Sequence, residues 1–229
     1  MMAKGFFIAG TDTGIGKTCV TVALMEELKK QGYKVAAMKP IASGAVRKNG
    51  SLRNEDAELI QQACSQQIDY ELINPVVFEL PVSPHIAARQ MKQAIDLREI
   101  ESCYQQLASN NDLVVVEGVG GWRVPISGEQ SMADLAKKLG LPVILVVGFR
   151  LGCLNHAILT AEAIRADGLN LFGWVSNRLE EAYLFSEESL ETLKKTIESP
   201  YLADLPFGQN SAAKLQIKHS NMLLDSSSL

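Results

Sequence analysis

Gly10-Thr11-Asp12-Thr13-Gly14-Ile15-Gly16-Lys17-Thr18 is the stretch that decides the fold. Before it, residues 4–9 form an apolar run that reads as a buried strand; after it, residues 17–31 read as a helix ended by Gly32. A glycine-rich turn that leaves a strand and opens a helix is a phosphate-binding loop. Gly14 and Gly16 let backbone N–H groups approach an anion, and the helix that begins near Lys17 aims its positive end at the same point. The Lys17 ammonium reaches the β- and γ-phosphates of a nucleotide, and the Thr18 hydroxyl suits Mg²⁺. Asp12, Thr13, Gly14, Ile15, Gly16, Lys17 and Thr18 are therefore the first nucleotide-binding candidates. In the usual G-x-x-x-x-G-K spacing the first glycine would stand at Thr11; here Gly10 lies one residue earlier, so the loop is a variant.

Outward from this loop, strand and helix alternate. Strands are expected at 35–38, 113–116, 143–147, 171–175 and 201–205. Helices are expected at 54–64, 84–91, 96–108, 131–139, 154–166 and 187–197. The strands are apolar without polar alternation, which argues a parallel sheet covered on both faces. The expected fold is α/β, a three-layer P-loop NTPase-like fold with a mostly parallel central sheet flanked by helices. Residues 1–224 read as one domain, and 225–229 as a polar tail. In such sheets ligands bind beyond the carboxyl ends of the strands, so the loops after each strand are where chemistry belongs.

Composition narrows the function classes. The 229 residues carry 22 Lys and Arg against 26 Asp and Glu, a net charge of −4, and 47% are hydrophobic. No basic run exceeds a Lys-Lys pair, so nucleic acid is not an expected partner. Cys19, Cys64, Cys103 and Cys153 are too widely spaced for a zinc site or a redox dithiol. No apolar stretch has the length of a membrane span, and residues 6–10 are too short for a signal peptide. A reducing cytoplasm is the expected compartment. His85, His156 and His219 show no metal-ligand spacing, and no triad spacing surrounds the first two.

Three further loops carry charge at strand ends. Glu117 follows the strand at 113–116 and precedes Gly118, Val119 and Gly120, where a metal-holding carboxylate belongs. Asp56 enters a helix and reads equally as a metal ligand or as a first-turn acid favoured by the helix dipole. Lys39 ends the second strand before Pro40, pointing either into the ligand crevice or to solvent. Ser43-Gly44 then makes a turn able to meet an anion. Asn177-Arg178-Leu179-Glu180 stands where guanine readers place Asn-Lys-x-Asp, and its departure from that pattern favours adenine. Asn177 also reads as a plain strand-ending turn residue.

Taken together, GTDTGIGKT, GYKVAAMKPIASG, LRNEDA, NPVVFELPVSPHIAA, VVVEGVGGWRVPIS, LPVILVVGFRLGCLNHAILTAEAI and GWVSN make the chain resemble the dethiobiotin synthetases as far as about Pro206. The resemblance implies an ATP-dependent ring closure in biotin synthesis. One amine of 7,8-diaminopelargonate takes up CO₂ as a carbamate. The carbamate attacks the γ-phosphate of Mg-ATP, and the second amine displaces phosphate from the mixed anhydride.

The resemblance also implies roles. Lys39, Lys17 and Thr11 would be catalytic, with Thr11 and Ser43 on the substrate. Thr18, Asp56 and Glu117 would hold Mg²⁺. Glu117, Gly118, Val119 and Gly120, then Asn177, Arg178, Leu205, Pro206 and Phe207, would bound the nucleotide. Members are homodimers in which Gly152 and Asn155 would receive the substrate carboxylate of the neighbouring subunit. The segment 178–186 departs from the family pattern.

A partition or cell-division switch ATPase of the same P-loop group is the alternative. Such proteins often carry a second lysine six residues before the Gly-Lys lysine, where this chain has Thr11. A glutamine-dependent amide ligase would need a glutaminase domain, for which the chain has no room.

Overall fold

The computed structural model describes residues 5–181 and 183–208. The expected domain end at 224, the tail 225–229 and His219 lie outside the described residues.

The chain runs β1 (Gly5–Gly10), α1 (Lys17–Lys30), β2 (Val35–Met38), β3 (Ile41–Ala42), β4 (Val46–Lys48), β5 (Ser51–Arg53) and α2 (Glu55–Ala63). It continues through α3 (Tyr70–Ile73), β6 (Val76–Val77), α4 (Pro84–Met91), α5 (Leu97–Asn110), β7 (Leu113–Glu117) and α6 (Met132–Leu139). Last come β8 (Val143–Phe149), α7 (Cys153–Ala166), β9 (Leu171–Arg178), α8 (Ser186–Thr196) and β10 (Tyr201–Leu205).

Six strands form one sheet in the order β10-β9-β8-β1-β7-β2, and every neighbouring pair is parallel. This is the doubly covered sheet that the apolar runs require: β1, β2, β7 and β8 are buried along their whole length. Chain order reverses on either side of β1, with β7 on one flank and β8 on the other. The crevice at that switch point opens above the phosphate loop.

The helix boundaries follow local chemistry. The Asn54 side chain accepts the Ala57 N–H at the start of α2, 3.2 Å. Ser131 and Asp134 form a capping box on α6, and Gly140 ends that helix in the left-handed region.

Three strands run further than their apolar cores predict. β7 ends on Glu117, β8 on Phe149 and β9 on Arg178. Asn177 thus pairs with Gly148 inside a strand and does not end one. The strand ends are polar where side chains find partners beyond their own strand: Glu117 meets Lys39 and Thr18, Asn177 the Ile15 carbonyl and Arg178 Asp204.

Between β2 and α4 the helix expected at 54–64 is α2, whereas β3, β4, β5, α3 and β6 escaped the sequence reading. β3 and β6 are two-residue strands paired in parallel, too short to carry a period. β4 and β5 form a largely exposed hairpin with no apolar stripe. Its signal was the Asn49-Gly50 turn, with φ of 50° and 83°.

Candidate active site

The loops after β1, β2 and β7 enclose a cleft of about 990 Å³. Thr13 to Thr18, Lys39, Ser43, Asp56, Glu117, Val119 and Gly120 all line it. Four segments far apart in sequence are therefore brought to one place by the parallel sheet.

The phosphate loop has the backbone its glycines anticipate. Gly16 caps α1 in the left-handed region at φ 83°. A Cβ there would stand 2.2 Å from Asn177 Nδ2. That amide reaches in from β9 and donates to the Ile15 carbonyl, 2.7 Å. Lys17 is 6% exposed, and its ammonium donates to the Asp12 carbonyl, 2.8 Å. The Asp12 carboxylate accepts the Thr13 N–H, 2.7 Å, and pairs with Arg150 at the end of β8, 2.5 Å.

Beside the loop stands a charged cluster. Lys39 Nζ donates to Glu117 Oε1 at 2.5 Å and to Asp56 Oδ2 at 3.1 Å. Thr18 donates its hydroxyl to the same Glu117 oxygen, 2.9 Å. Glu117 is wholly buried, and its second oxygen, Oε2, is buried without a hydrogen-bond partner.

Electrostatics differ between the two lysines. Burial lowers the Lys17 pKa, helped by the Lys39 charge, to about 8. Burial works against charge on Lys39 too, but Glu117 and Asp56 outweigh it and hold that ammonium above its ordinary value. Burial works against the Asp56 carboxylate, yet Lys39 and the Thr18 hydroxyl hold it below the usual range.

The remaining candidates fall into three places. Ser43 lies in the cleft with its Oγ buried and unpartnered. Gly118 sits behind it, a close neighbour of the Phe7 ring. Thr11 stands outside the lining and donates its N–H to Val146 O, 3.1 Å.

A second group gathers at the ends of β9 and β10. Asn177 pairs with Leu205 there, and Pro206 and Phe207 follow. Arg178 is held by Asp204 at 2.9 Å, Ser186 at 3.0 Å and Glu187 at 2.5 Å. Gly152 and Asn155 are exposed at the start of α7 and do not line this cleft. Of the two histidines, His85 hydrogen-bonds the Pro125 carbonyl at 3.2 Å, and His156 is exposed on α7.

The cleft also has an apolar wall that the sequence reading did not assign: Val22, Leu59, Pro81, Val82, Ile86 and Val124. Its signal lay in the 81–88 stretch, an apolar run opening a helix.

Thr18, Asp56 and Glu117 offer oxygen donors only, one of them buried and unpartnered, which suits a hard cation such as Mg²⁺. Among the described residues no group of three or more His, Cys, Asp and Glu could hold a metal alone. A nucleotide-borne Mg²⁺ needs no such cage, because phosphate oxygens and water complete its shell.

A family model described as an AAA domain matches residues 4–214. The ATP-dependent dethiobiotin synthetase BioD of Vibrio vulnificus (strain YJ016) is 44% identical over 220 residues, covering 96% of this chain and 97% of that one. The chain belongs to the dethiobiotin synthetase family. The protein of the same name from Aromatoleum aromaticum is 46% identical over 203 residues, 89% of this chain and 90% of its own. The MinD cell division protein of Aquifex aeolicus shares the fold, with TM-score 0.59 at 15% identity over 97% of each chain. A ParA family ATPase from Chlorobium tepidum matches with TM-score 0.52 at 16% identity, covering 99% of this chain and 94% of that one. Of the stretches that resemble dethiobiotin synthetases, GTDTGIGKT, KPIASG, LPVSPHIAA and VEGVGGW meet at the cleft, whereas FRLGCLNHA lies apart from it.

Proposed function

We propose that this chain is an ATP-dependent dethiobiotin synthetase, a ligase that converts 7,8-diaminopelargonate, CO₂ and ATP to dethiobiotin, ADP and phosphate. The observation that carries the reading is Lys39, buried between Glu117 and Asp56 beside a phosphate loop. In the reaction a substrate amine adds to CO₂ and loses a proton, leaving a carbamate. A carbamate oxygen attacks the γ-phosphorus and ADP leaves. The second amine then attacks the carbonyl, loses its proton and expels phosphate, closing the ring.

The difficult approach is between two anions. Unit negative charges 4 Å apart repel by about 4 kcal/mol at an effective dielectric near 20. Lys39 and Lys17 offset that repulsion from two sides, as positioned charge does in phosphoryl transfer generally. Thr18, Asp56 and Glu117 would hold Mg²⁺, which supplies positive charge on the phosphates. Ser43, with an unpartnered buried hydroxyl in the cleft, binds the substrate's reacting end; Thr11, outside the cleft lining, is given a share of that role by the family resemblance alone. The apolar wall of Val22, Leu59, Val82 and Val124 suits its methylene chain. Asn177, Arg178 and the 205–207 stretch border adenine.

Gly152 and Asn155 are exposed and outside this cleft, beside Leu151 at 89% and Leu159 at 56% exposure. That placement supports a homodimer in which the start of α7 serves the neighbouring subunit's substrate carboxylate. No helix among the described residues is long and apolar enough to cross a membrane. We place the enzyme in the cytoplasm, with small molecules and no nucleic acid as its partners.

Purified protein given diaminopelargonate, bicarbonate and Mg-ATP should yield dethiobiotin by mass, and should sediment at about twice 25.0 kDa. ATP hydrolysis that ignores diaminopelargonate, with no dethiobiotin, would overturn the reading in favour of a switch ATPase. A fully active monomer would remove the shared site.

Lys17 sets a pH dependence. Its pKa of about 8 belongs to the nucleotide-free protein, and bound phosphates favour the charged form and raise it. Above about pH 8, binding must therefore take up a proton, so ATP affinity should fall by up to about tenfold per pH unit. Below that pH it should be flat. Calorimetry in buffers of different ionisation enthalpy measures the uptake directly, and a flat affinity from pH 7 to beyond about 9 contradicts the assignment.

A further inference from the structure

The charged cluster rests on a buried network that the proposed chemistry does not itself use. Tyr70 is 5% exposed, Asn74 2% and Asn54 9%. The Tyr70 hydroxyl accepts the Asn54 N–H at 2.8 Å and donates to Asn74 Oδ1 at 2.9 Å. Asn74 spends both amide protons on backbone, one on Lys39 O at 2.7 Å and one on Val76 O at 3.2 Å. The Lys39 N–H donates to Ile73 O, 2.7 Å. At the other end, Asn54 caps α2, whose second residue is Asp56, and gives its own amide to Ser43 O at 3.4 Å.

One phenol and two amides thus tie together the three segments that present Lys39, Ser43 and Asp56. We propose that Tyr70 and Asn74 are positioning residues of this site, setting where Lys39 leaves β2 relative to where α2 starts Asp56. The inference rests on the proposed function, because it gives that reaction's lysine and metal acid a common support.

The physical argument is one of stoichiometry. The Tyr70 hydroxyl fills its donor and an acceptor place, and Asn74 fills all three places used here. A satisfied buried network admits one arrangement, whereas a broken one leaves costly orphans and lets the backbone shift. Burial holds the Tyr70 hydroxyl above its ordinary pKa, so it stays a donor. The Arg53 guanidinium lies 4.0 Å from the ring centroid and keeps the ring in place without the hydroxyl. α3 is a single four-residue turn, too short to be stable on its own. The phosphate loop takes no part in these bonds, so ATP contacts made by Lys17 and the loop amides are separable from them.

The test is Tyr70→Phe, which removes one oxygen and keeps the ring. Single-turnover dethiobiotin formation should fall about 10- to 100-fold and the Mg²⁺ concentration for half-maximal rate should rise, as for other supports of ligating groups. ATP affinity should change less than about threefold, and Tyr70→Phe added to Lys39→Gln should cost little more than Lys39→Gln alone, because the two act as a unit. Leu107→Val, a core change on α5, is the control for lost stability and should keep native turnover. If Tyr70→Phe does not fold, Asn74→Ser removes the two amide donors and should show the same split. An active native protein with unimpaired Tyr70→Phe or Asn74→Ser overturns the inference alone. So does an equal loss of ATP binding, or full additivity with Lys39→Gln. A native protein that makes no dethiobiotin overturns the proposed function, and this inference with it.

Discussion

Lys39→Gln is expected to slow single-turnover dethiobiotin formation by about 10²- to 10³-fold, or roughly 3–4 kcal/mol, while ATP still binds. Lys39 is 3% exposed, and its ammonium lies against Glu117 and Asp56. Its charge matters most as carbamate and γ-phosphate close on each other, and only interactions that strengthen in the transition state raise the turnover rate. Removing it also leaves two carboxylates facing each other without their ammonium. Their mutual repulsion should then favour a cation, so the Mg²⁺ concentration for half-maximal rate should stay level or fall. That direction separates the variant from a simple loss of metal. Lys17→Gln, by contrast, should weaken ATP itself, because that side chain belongs to the phosphate loop. The paired measurement is equilibrium ATP binding with single-turnover product formation. Near-native turnover in Lys39→Gln would overturn the role given to this lysine.

Glu117→Gln should have the second large effect, and in two observables at once. Thr18 and Lys39 share one oxygen of a fully buried carboxylate, and the other oxygen is unpartnered. Glutamine keeps an acceptor but removes the charge, leaving Lys39 with Asp56, whose side chain is 45% exposed. Breaking a buried pair by removing one partner costs about 3–5 kcal/mol in general, which for a domain of this size lowers the melting temperature on the order of 10 °C.

The sign with pH is defined. In the native protein the Lys39 pKa is raised, so its stabilisation is complete below the unfolded lysine value and is lost as pH rises through the folded one. In Glu117→Gln only the half-exposed Asp56 is left to oppose burial, so the folded value is expected to drop below the ordinary one. The penalty is then present at low and neutral pH and fades as the lysine deprotonates. The Mg²⁺ requirement should rise by about tenfold or more. Unchanged Mg²⁺ dependence would remove Glu117 from the metal site, and unchanged melting would contradict the burial argument.

By itself the sequence determined what depends on neighbours along the chain. Gly14, Gly16, Lys17 and Thr18 declare a phosphate loop because the strand before them and the helix after them are local patterns. The unbroken apolar runs declare a parallel covered sheet for the same reason, and Asn54, Ser131 and Gly140 mark helix ends through caps made within a few residues. Glu117 and Lys39 were legible as charges ending apolar strands.

Only the tertiary structure decided how these pieces meet. The order β10-β9-β8-β1-β7-β2 places Lys39 of one strand exit against Glu117 of another. That contact joins residues 78 apart in sequence, and no local pattern encodes it. Asn177 read as a turn residue or a base contact, yet its amide lies buried on the Ile15 carbonyl, 162 residues away. Tyr70 carried no signal in the sequence, and Asn74 only opens the NPVVFELPVSPHIAA stretch; their meaning comes from the backbone of Lys39 and Asn54, which chain folding brings within hydrogen-bond reach. Gly152 and Asn155 are legible in the sequence as a helix start, but that they lie outside this subunit's cleft follows from where α7 departs from β8. Periodicity and spacing report on forces within a few residues, whereas a site made at a sheet's switch point is a sum of long-range contacts that exist only once the strands have taken their order.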